Sequence, residues 1–174
     1  FYSSKFQKNI EELLTAPVPN WVILTGYVGG GIFRGLAVGI VVTGIGLSFS
    51  SVGFQHPEVI GLVFLLTSTL FALAGFINAV FANSFDDISI VPNFVLTPLV
   101  YLGGVFYSVN LLPEVWRKVS LGNPILYMVN AFRYGFLGVS DMPVGTSLIL
   151  IAGVVLVLAL WALWLLERGT RLKG

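Results

Sequence analysis

Along this chain the apolar residues come in long unbroken runs rather than in alternation with polar ones. No Asp, Glu, Lys or Arg occurs in 35–57, 59–85, 88–113 or 142–166. A membrane-crossing helix needs about 20 predominantly apolar residues, and each run is long enough to supply one. The pattern predicts four spans, at about 27–54, 59–82, 90–109 and 148–166, within a transmembrane domain covering 27–166. Polar turns separate them: Gln55, His56, Pro57 and Glu58 form one, and the acidic "NSFDD" forms the next. The tail "ERGTRLKG" trails from the last span as a segment of 167–174. The expected fold class is all-α integral membrane, a polytopic helical bundle.

Two stretches depart from that pattern. Between the third and fourth spans lies "LLPEVWRKVSLGNPILYMVNAFRYGFLG". Pro113 is placed to open one short helix, the one carrying Glu114 and Trp116. Asn123 is an N-cap with Pro124 at the first helical position of a second helix. That second helix, about 124–137, presents Ile125, Met128, Val129, Phe132 and Phe136 at helical spacing. It is too short to cross a bilayer and too apolar for water, so a re-entrant or interfacial hairpin over 112–138 on the outer side is expected. The other stretch is "KFQKNIEELLTAPVPNW". Phe6, Ile10, Leu13 and Leu14 form one apolar stripe there, with Lys8, Glu11 and Glu12 off it. Pro17 and Pro19 end the helix before the membrane. Its mixed-charge polar face, with two adjacent glutamates, suits a protein groove better than an anionic headgroup layer.

Composition sharpens this picture. Only 10% of residues are charged, against roughly 25% in a soluble domain. With no cysteine and a single histidine, neither a disulfide framework nor a thiolate or histidine metal cluster is available. The net charge of +1 leaves no nucleic-acid footprint. Lys and Arg near the span ends set orientation. With the N-terminus inside, Lys5, Lys8, Arg34, Arg168, Arg171 and Lys173 fall on the cytoplasmic side, and Arg117, Lys118 and Arg133 opposite, so both termini are expected in the cytoplasm. The chain starts at Phe1 without a methionine and reads as a fragment of a longer polypeptide or a trimmed one.

Few residues suggest chemistry. "GYVGGGIFRG" is Gly-rich but lacks the Gly-Lys-Ser/Thr ending that cradles phosphate in a P-loop, and no catalytic set can be assembled. His56 reads as a solvated turn residue. Gly31, Gly35, Gly39 and Thr43 recur every four residues, the spacing that lets membrane helices approach closely, either within the chain or between two copies. Arg34, about two turns into the expected first span, can snorkel to the cytoplasmic headgroups; the alternative is a place lining a conduit or meeting a partner. Asn78, Asn93, Thr97 and Pro98 are polar or kinking groups that belong against other helices or a cavity. No span carries the acidic residue expected of a proton- or sodium-coupled transporter.

Two of these stretches resemble a known family. "SSKFQKNIEELLTAPVPNWVILTGYVGGGIFRGL" resembles the cytoplasmic loop and following span of type-2 ATP-binding-cassette exporter permeases, and "LGGVFYSVNLLPEVWRKVSLGNPILYMVNAFRYGFLG" resembles that family's signature before its final span. The resemblance covers essentially the whole chain, as the last four of six spans. It implies that residues 9–16 are the coupling helix seated in a cleft of a separate ATPase subunit, with Glu11, Glu12, Leu13 and Leu14 at the contact. It implies that the hairpin is the outer gate, with Glu114, Trp116, Asn123, Pro124 and Arg133 in it. Arg133 would either anchor the hairpin at the interface or close the gate by bonding across it, with Glu114 as the acidic candidate. The permease would need no cofactor of its own, ATP being bound by the partner. A second permease copy, forming a homodimer, the ATPase and membrane lipid are the implied partners, in a bacterial inner membrane. Family substrates include polysaccharides, lipid-linked glycans and hydrophobic drugs. The rival readings are a membrane scaffold or assembly protein that moves nothing, and a channel or secondary transporter.

Overall fold

A computed structural model of the chain describes Ser3 and residues 18–49, 53–108 and 111–168, with the backbone alone at Phe85. The elements are α1 (Asn20–Phe49), α2 (Pro57–Phe81), α3 (Phe85–Ile90), a π-helical segment (Val91–Leu96), α4 (Thr97–Leu102), α5 (Glu114–Leu121), α6 (Pro124–Leu137) and α7 (Val144–Arg168). Among the described residues three helices, α1, α2 and α7, are long and apolar enough to cross a membrane.

α1 begins at Asn20, ahead of the expected Tyr27, because the apolar "WVIL" continues the helix back to Pro19, whose carbonyl accepts from Val22 N at 2.9 Å. Its register on α2 is set by small residues. A Cβ added at Gly31 would stand 2.8 Å from Ala72 Cβ, one at Gly35 would stand 2.8 Å from Ser68 Oγ, and one at Gly39 would stand 2.4 Å from Phe64 Cε1. The Gly31, Gly35, Gly39 stripe is therefore the intramolecular seam between α1 and α2, where the backbones come close because no side chain intervenes. Tyr27 meets Phe76 in the same antiparallel register, with ring centroids 6.4 Å apart. At the end of the bundle where α1 begins, Leu24 and Val28 join Leu73, Phe76, Ile77 and Val80 of α2 and Ala162, Leu165 and Leu166 of α7 in one buried cluster.

The stretch expected as a single span over 90–109 is instead a continuous but broken helix from Phe85 to Leu102. A capping box starts it: Asp87 N donates to Ser84 Oγ, while Ser84 N and Asn83 N donate to Asp87 Oδ2 at 3.0 and 2.9 Å. Pro92 and Pro98 bracket the π-helical turn, and the missing Pro98 N–H together with its ring disrupts ordinary pairing there. Thr97 N and Thr97 Oγ1 both reach the Pro92 carbonyl. This stretch is tied to α2 by Asn78 Nδ2, which donates to Ile88 O at 3.0 Å. The helix stops at Leu102, and Gly104 turns the chain with φ 73°.

α6 lies between α2 and α7 and runs antiparallel to both. Its Leu126, Tyr127 and Met128 pack with Leu70 and Ile151, deep along the two long helices. Farther along, Phe132 meets Phe64 edge-on at 4.9 Å, and Gly135 abuts Ile60 near the start of α2. Asn123 caps α6 by accepting from Ile125 N at 3.0 Å, and Pro124 occupies the first turn. Gly138 ends it with φ 72° and a 2.8 Å bond from its N–H to Tyr134 O, a left-handed cap that glycine adopts without a Cβ penalty. The buried face of α6 also includes Asn130 and Ala131, so it is broader than the stripe expected from spacing, since two helices cover it.

Gly31→Leu is expected to lower stability by about 1–3 kcal/mol, because Ala72 has no flexible atoms to move aside. Gly30→Leu, where an added Cβ meets nothing within 4 Å, should be close to neutral. Detergent-induced unfolding midpoints of the two variants check the difference.

Candidate functional site

The densest polar structure among the described residues is built on Asn130, which is 2% exposed. Its amide nitrogen donates to Met142 O at 3.1 Å and to Ser147 Oγ at 3.0 Å. Its amide oxygen accepts from Asp141 N at 2.8 Å and Met142 N at 3.2 Å. A carboxamide has two donors and two acceptor lone pairs, so its capacity is filled. The effect is to fold the chain after Gly138 back against α6 and to hold Asp141 over Arg133.

Arg133 then makes two contacts. Nη1 donates to Asp141 Oδ2 at 2.9 Å and Nη2 donates to Gly104 O at 3.0 Å. Ser108 Oγ donates to the same carboxylate oxygen at 2.9 Å. Both charged side chains are about one-fifth exposed. Lower on α6, Asn123 Nδ2 donates to Leu99 O at 2.6 Å, and Tyr127 OH donates to Leu121 O at 2.7 Å. These bonds join the end of α4, both helices of the hairpin and the head of α7.

The acidic partner expected for Arg133 was Glu114, and the structure corrects this. Glu114 pairs with Lys118 at 2.7 Å along α5, where both side chains are highly exposed. Asp141 takes the role because the Gly138 cap, five residues after Arg133, reverses the chain and returns Asp141, which at eight residues away is nearer in sequence than Glu114. Trp116 stands exposed on α5 with Val115 and Val119, apart from the Asn130 network. Asn123 and Pro124 sit at the start of α6, at the level of Leu99. His56, expected as a solvated turn residue, is half-buried and stacks on Tyr134 with centroids 4.4 Å apart. Gln55 N and His56 N both donate to Gly135 O, at 3.1 and 2.9 Å. The turn between α1 and α2 is thereby fastened to the same helix.

A second feature lies along the glycine seam. A groove of about 580 Å³ runs beside it, lined on α1 from Gly31 to Val42 and on α2 by residues including Phe64, Thr67 and Phe71, with Phe132 of α6 completing it. Arg34 lines this groove. The seam places Arg34 level with Thr69, twelve residues from either end of α2. At 1.5 Å per residue that is about 18 Å in each direction. The expectation that Arg34 lies two turns inside a span rested on a helix starting at Tyr27; with α1 starting at Asn20 its backbone is midway along the pair, and its side chain is exposed. The glycines, Arg34 and the Asn130 network are thus brought onto the same α1–α2–α6 assembly. Glu11, Glu12, Leu13 and Leu14, with the helix expected over 9–16, lie outside the described residues.

Sequence reasoning passed over Asn130 and Asp141. The available signal was a polar residue in the middle of the apolar face of 124–137, since a buried carboxamide requires partners.

The family model described as "ABC-2 type transporter" matches residues 1–137. The chain is 53% identical over 176 residues to "Inner membrane transport permease YadH" of Escherichia coli (strain K12), covering 100% of this chain and 68% of that protein. The protein of the same name in Shigella flexneri matches to the same extent. "Nodulation protein J" of Rhizobium leguminosarum bv. viciae is 26% identical over 99 residues, 55% of this chain and 38% of that protein. No solved structure matches the chain.

A double-mutant cycle with Arg133→Ala and Asp141→Asn should give a coupling of about 0.5–3 kcal/mol in unfolding measurements. Arg133→Lys should recover less than half of the loss, because an ammonium lacks the planar fork that reaches Asp141 and Gly104 together. A Lys variant as stable as wild type would mean the residue serves only as an interfacial anchor.

Proposed function

The chain belongs to the ABC-2 type transporter family, and from that premise we propose that it is the last four spans of an inner-membrane export permease driven by a separate ATPase subunit. Its similarity over the full chain to a transport permease is the observation that carries the reading. α1, α2, the stretch 85–102 and α7 are the spans in this proposal. The chain enters α1 and leaves α7 on the cytoplasmic side, where Arg168 lies over the Trp164 ring at 4.3 Å.

In the same reading 112–138 is a re-entrant hairpin that closes the outer side. What supports this is the path of α6, whose first turns lie beside Leu70 and Ile151 and whose last turns return to Ile60 and Gln55. Non-helical backbone at depth is tolerated only where protein satisfies it. The bond from Asn123 to Leu99 O and that from Asn123 N to Ser120 O meet this need at the tip. Opening such a gate requires the Asp141 and Asn130 bonds to exchange partners, so the network would set the barrier to release. Two permease copies and two ATPases would make the working unit. The 9–16 helix would transmit ATPase movement through Glu11, Glu12, Leu13 and Leu14, and the cargo would leave the cytoplasm.

Two experiments test this. Leu13→Asp combined with Leu14→Asp in the full-length protein should abolish co-purification of the ATPase while leaving membrane insertion intact; wild-type binding would refute the coupling assignment and favour a scaffold. Single cysteines at Phe106 and Val139, both exposed, should label with an impermeant thiol reagent from the outer face only. Labelling of position 139 from the cytoplasm would make the hairpin a true span.

A further inference from the structure

Arg133 and Arg34 are both cations in apolar surroundings, yet they are treated differently. Arg133 has a carboxylate and a carbonyl. Arg34 has no ion pair or hydrogen bond among the described residues, and it sits midway along α1 and α2, facing the groove. An arginine at the centre of a membrane helix is costly even on the mildest scales, and such residues normally pair or mark a substrate path. No acid of the neighbouring helices lies near its level: 35–57, 59–85 and 142–166 contain no Asp or Glu, α6 has none, and Glu58 and Glu167 stand at the ends of α2 and α7. A second polar group points the same way. Thr67 Oγ1, two residues from Arg34's level and in the same groove, is buried without a hydrogen-bond partner. In a helix a threonine hydroxyl can bond the carbonyl one turn back, as Thr69 does to Leu65 O at 2.7 Å; Thr67 does not.

From these observations we propose that the groove is the binding site for an amphipathic anion, its phosphate or carboxylate on Arg34 and Thr67 and its apolar body along the walls. The rest of the lining suits the apolar part: Val38 and Val42 on one side, Phe64 and Phe71 on the other, with Phe132 completing it. A volume of about 580 Å³ falls in the ordinary range for small-molecule sites, about 300–1,000 Å³. Charge complementarity selects an anion over a neutral drug, and the single guanidinium selects one acidic group rather than a polyanion. The glycine seam has a part in this, since side chains at Gly31, Gly35 and Gly39 would push the helices apart and remove the floor. The inference deepens the permease reading, on which it rests for its meaning as a substrate site: the cargo would be a lipid-like acid.

The test uses the full-length permease in phosphatidylcholine nanodiscs, without ATPase or nucleotide. The probes are radiolabelled dodecyl phosphate and, as an uncharged control, dodecanol. Wild-type protein should bind dodecyl phosphate saturably and more tightly than dodecanol. Arg34→Gln should weaken dodecyl phosphate at least about tenfold, the scale of a lost charge-assisted contact, with dodecanol unchanged. Arg34→Lys should stay within about threefold of wild type, because a point charge still binds phosphate. Val38→Trp, at an exposed lining position away from the seam, should block both probes while leaving Arg34 in place. Undiminished dodecyl phosphate binding by Arg34→Gln, or by Val38→Trp, would overturn the assignment. Equal affinity for the two probes would overturn it as well, since Arg34 would then meet an acidic residue elsewhere in the full-length protein. Failure of the permease reading shows separately, as loss of ATPase association in the coupling-helix experiment, and leaves this binding assay interpretable.

Discussion

The carboxamide of Asn130 is the interaction on which the half of this protein around α6 and the head of α7 depends. A polar group of that kind is costly to leave unpaired among Leu, Ile and Met side chains, so the chain must arrange four hydrogen bonds around it. Three run to the backbone of Asp141 and Met142 and one to Ser147. Once they form, the segment after Gly138 has one position, Asp141 meets Arg133, and α7 starts where its apolar face can cover α6. Arg133 and Ser108 then bring in the end of the broken helix through Gly104 and Asp141. Removing the amide would strand several donors and acceptors at once, so its influence extends well beyond its own volume.

The other half is held by different means. Around Leu24, Val28, Leu73, Phe76 and Leu165 the helices pack through apolar side chains. In lipid the hydrophobic effect does not favour helix against helix over helix against acyl chain, so association relies on close van der Waals contact. Gly31, Gly35 and Gly39 provide that contact by letting α1 approach α2 to within a methyl group. Interchangeable dispersion contacts at one end and directional hydrogen bonds at the other make the hydrogen-bonded end the place where a discrete rearrangement can be built, because a bonded network has distinct states and a close-packed seam resists graded deformation.

Arg34 and Arg133 show how position decides the meaning of one residue type. At Arg133 the cap at Gly138 supplies a carboxylate, and the charge is spent on architecture. At Arg34 the acids of the surrounding helices, Glu58 and Glu167, stand only at the helix ends, so the charge remains available to something else. The groove beside it, with the orphaned Thr67 hydroxyl, is where that availability becomes chemical selectivity.

The chain's residue order determined the long helices, the two prolines that break the stretch 85–102, the Asn123–Pro124 start of α6 and its Gly138 stop, because each follows from local rules of hydropathy, capping and ring sterics that act within a few residues. It also determined that Gly31, Gly35 and Gly39 form a close-approach face. The tertiary structure decided which helix that face meets, that Asp141 rather than Glu114 faces Arg133, and that His56 stacks on Tyr134. It placed the Arg34 backbone at the midpoint of the α1–α2 pair, since depth is set by register against a neighbouring helix and not by distance from the first apolar residue. Asn130 marks the boundary between the two kinds of information: its own sequence announces a buried amide that needs partners, but the partners lie eleven to seventeen residues away, and only the packing of α6 between α2 and α7 brings them within reach.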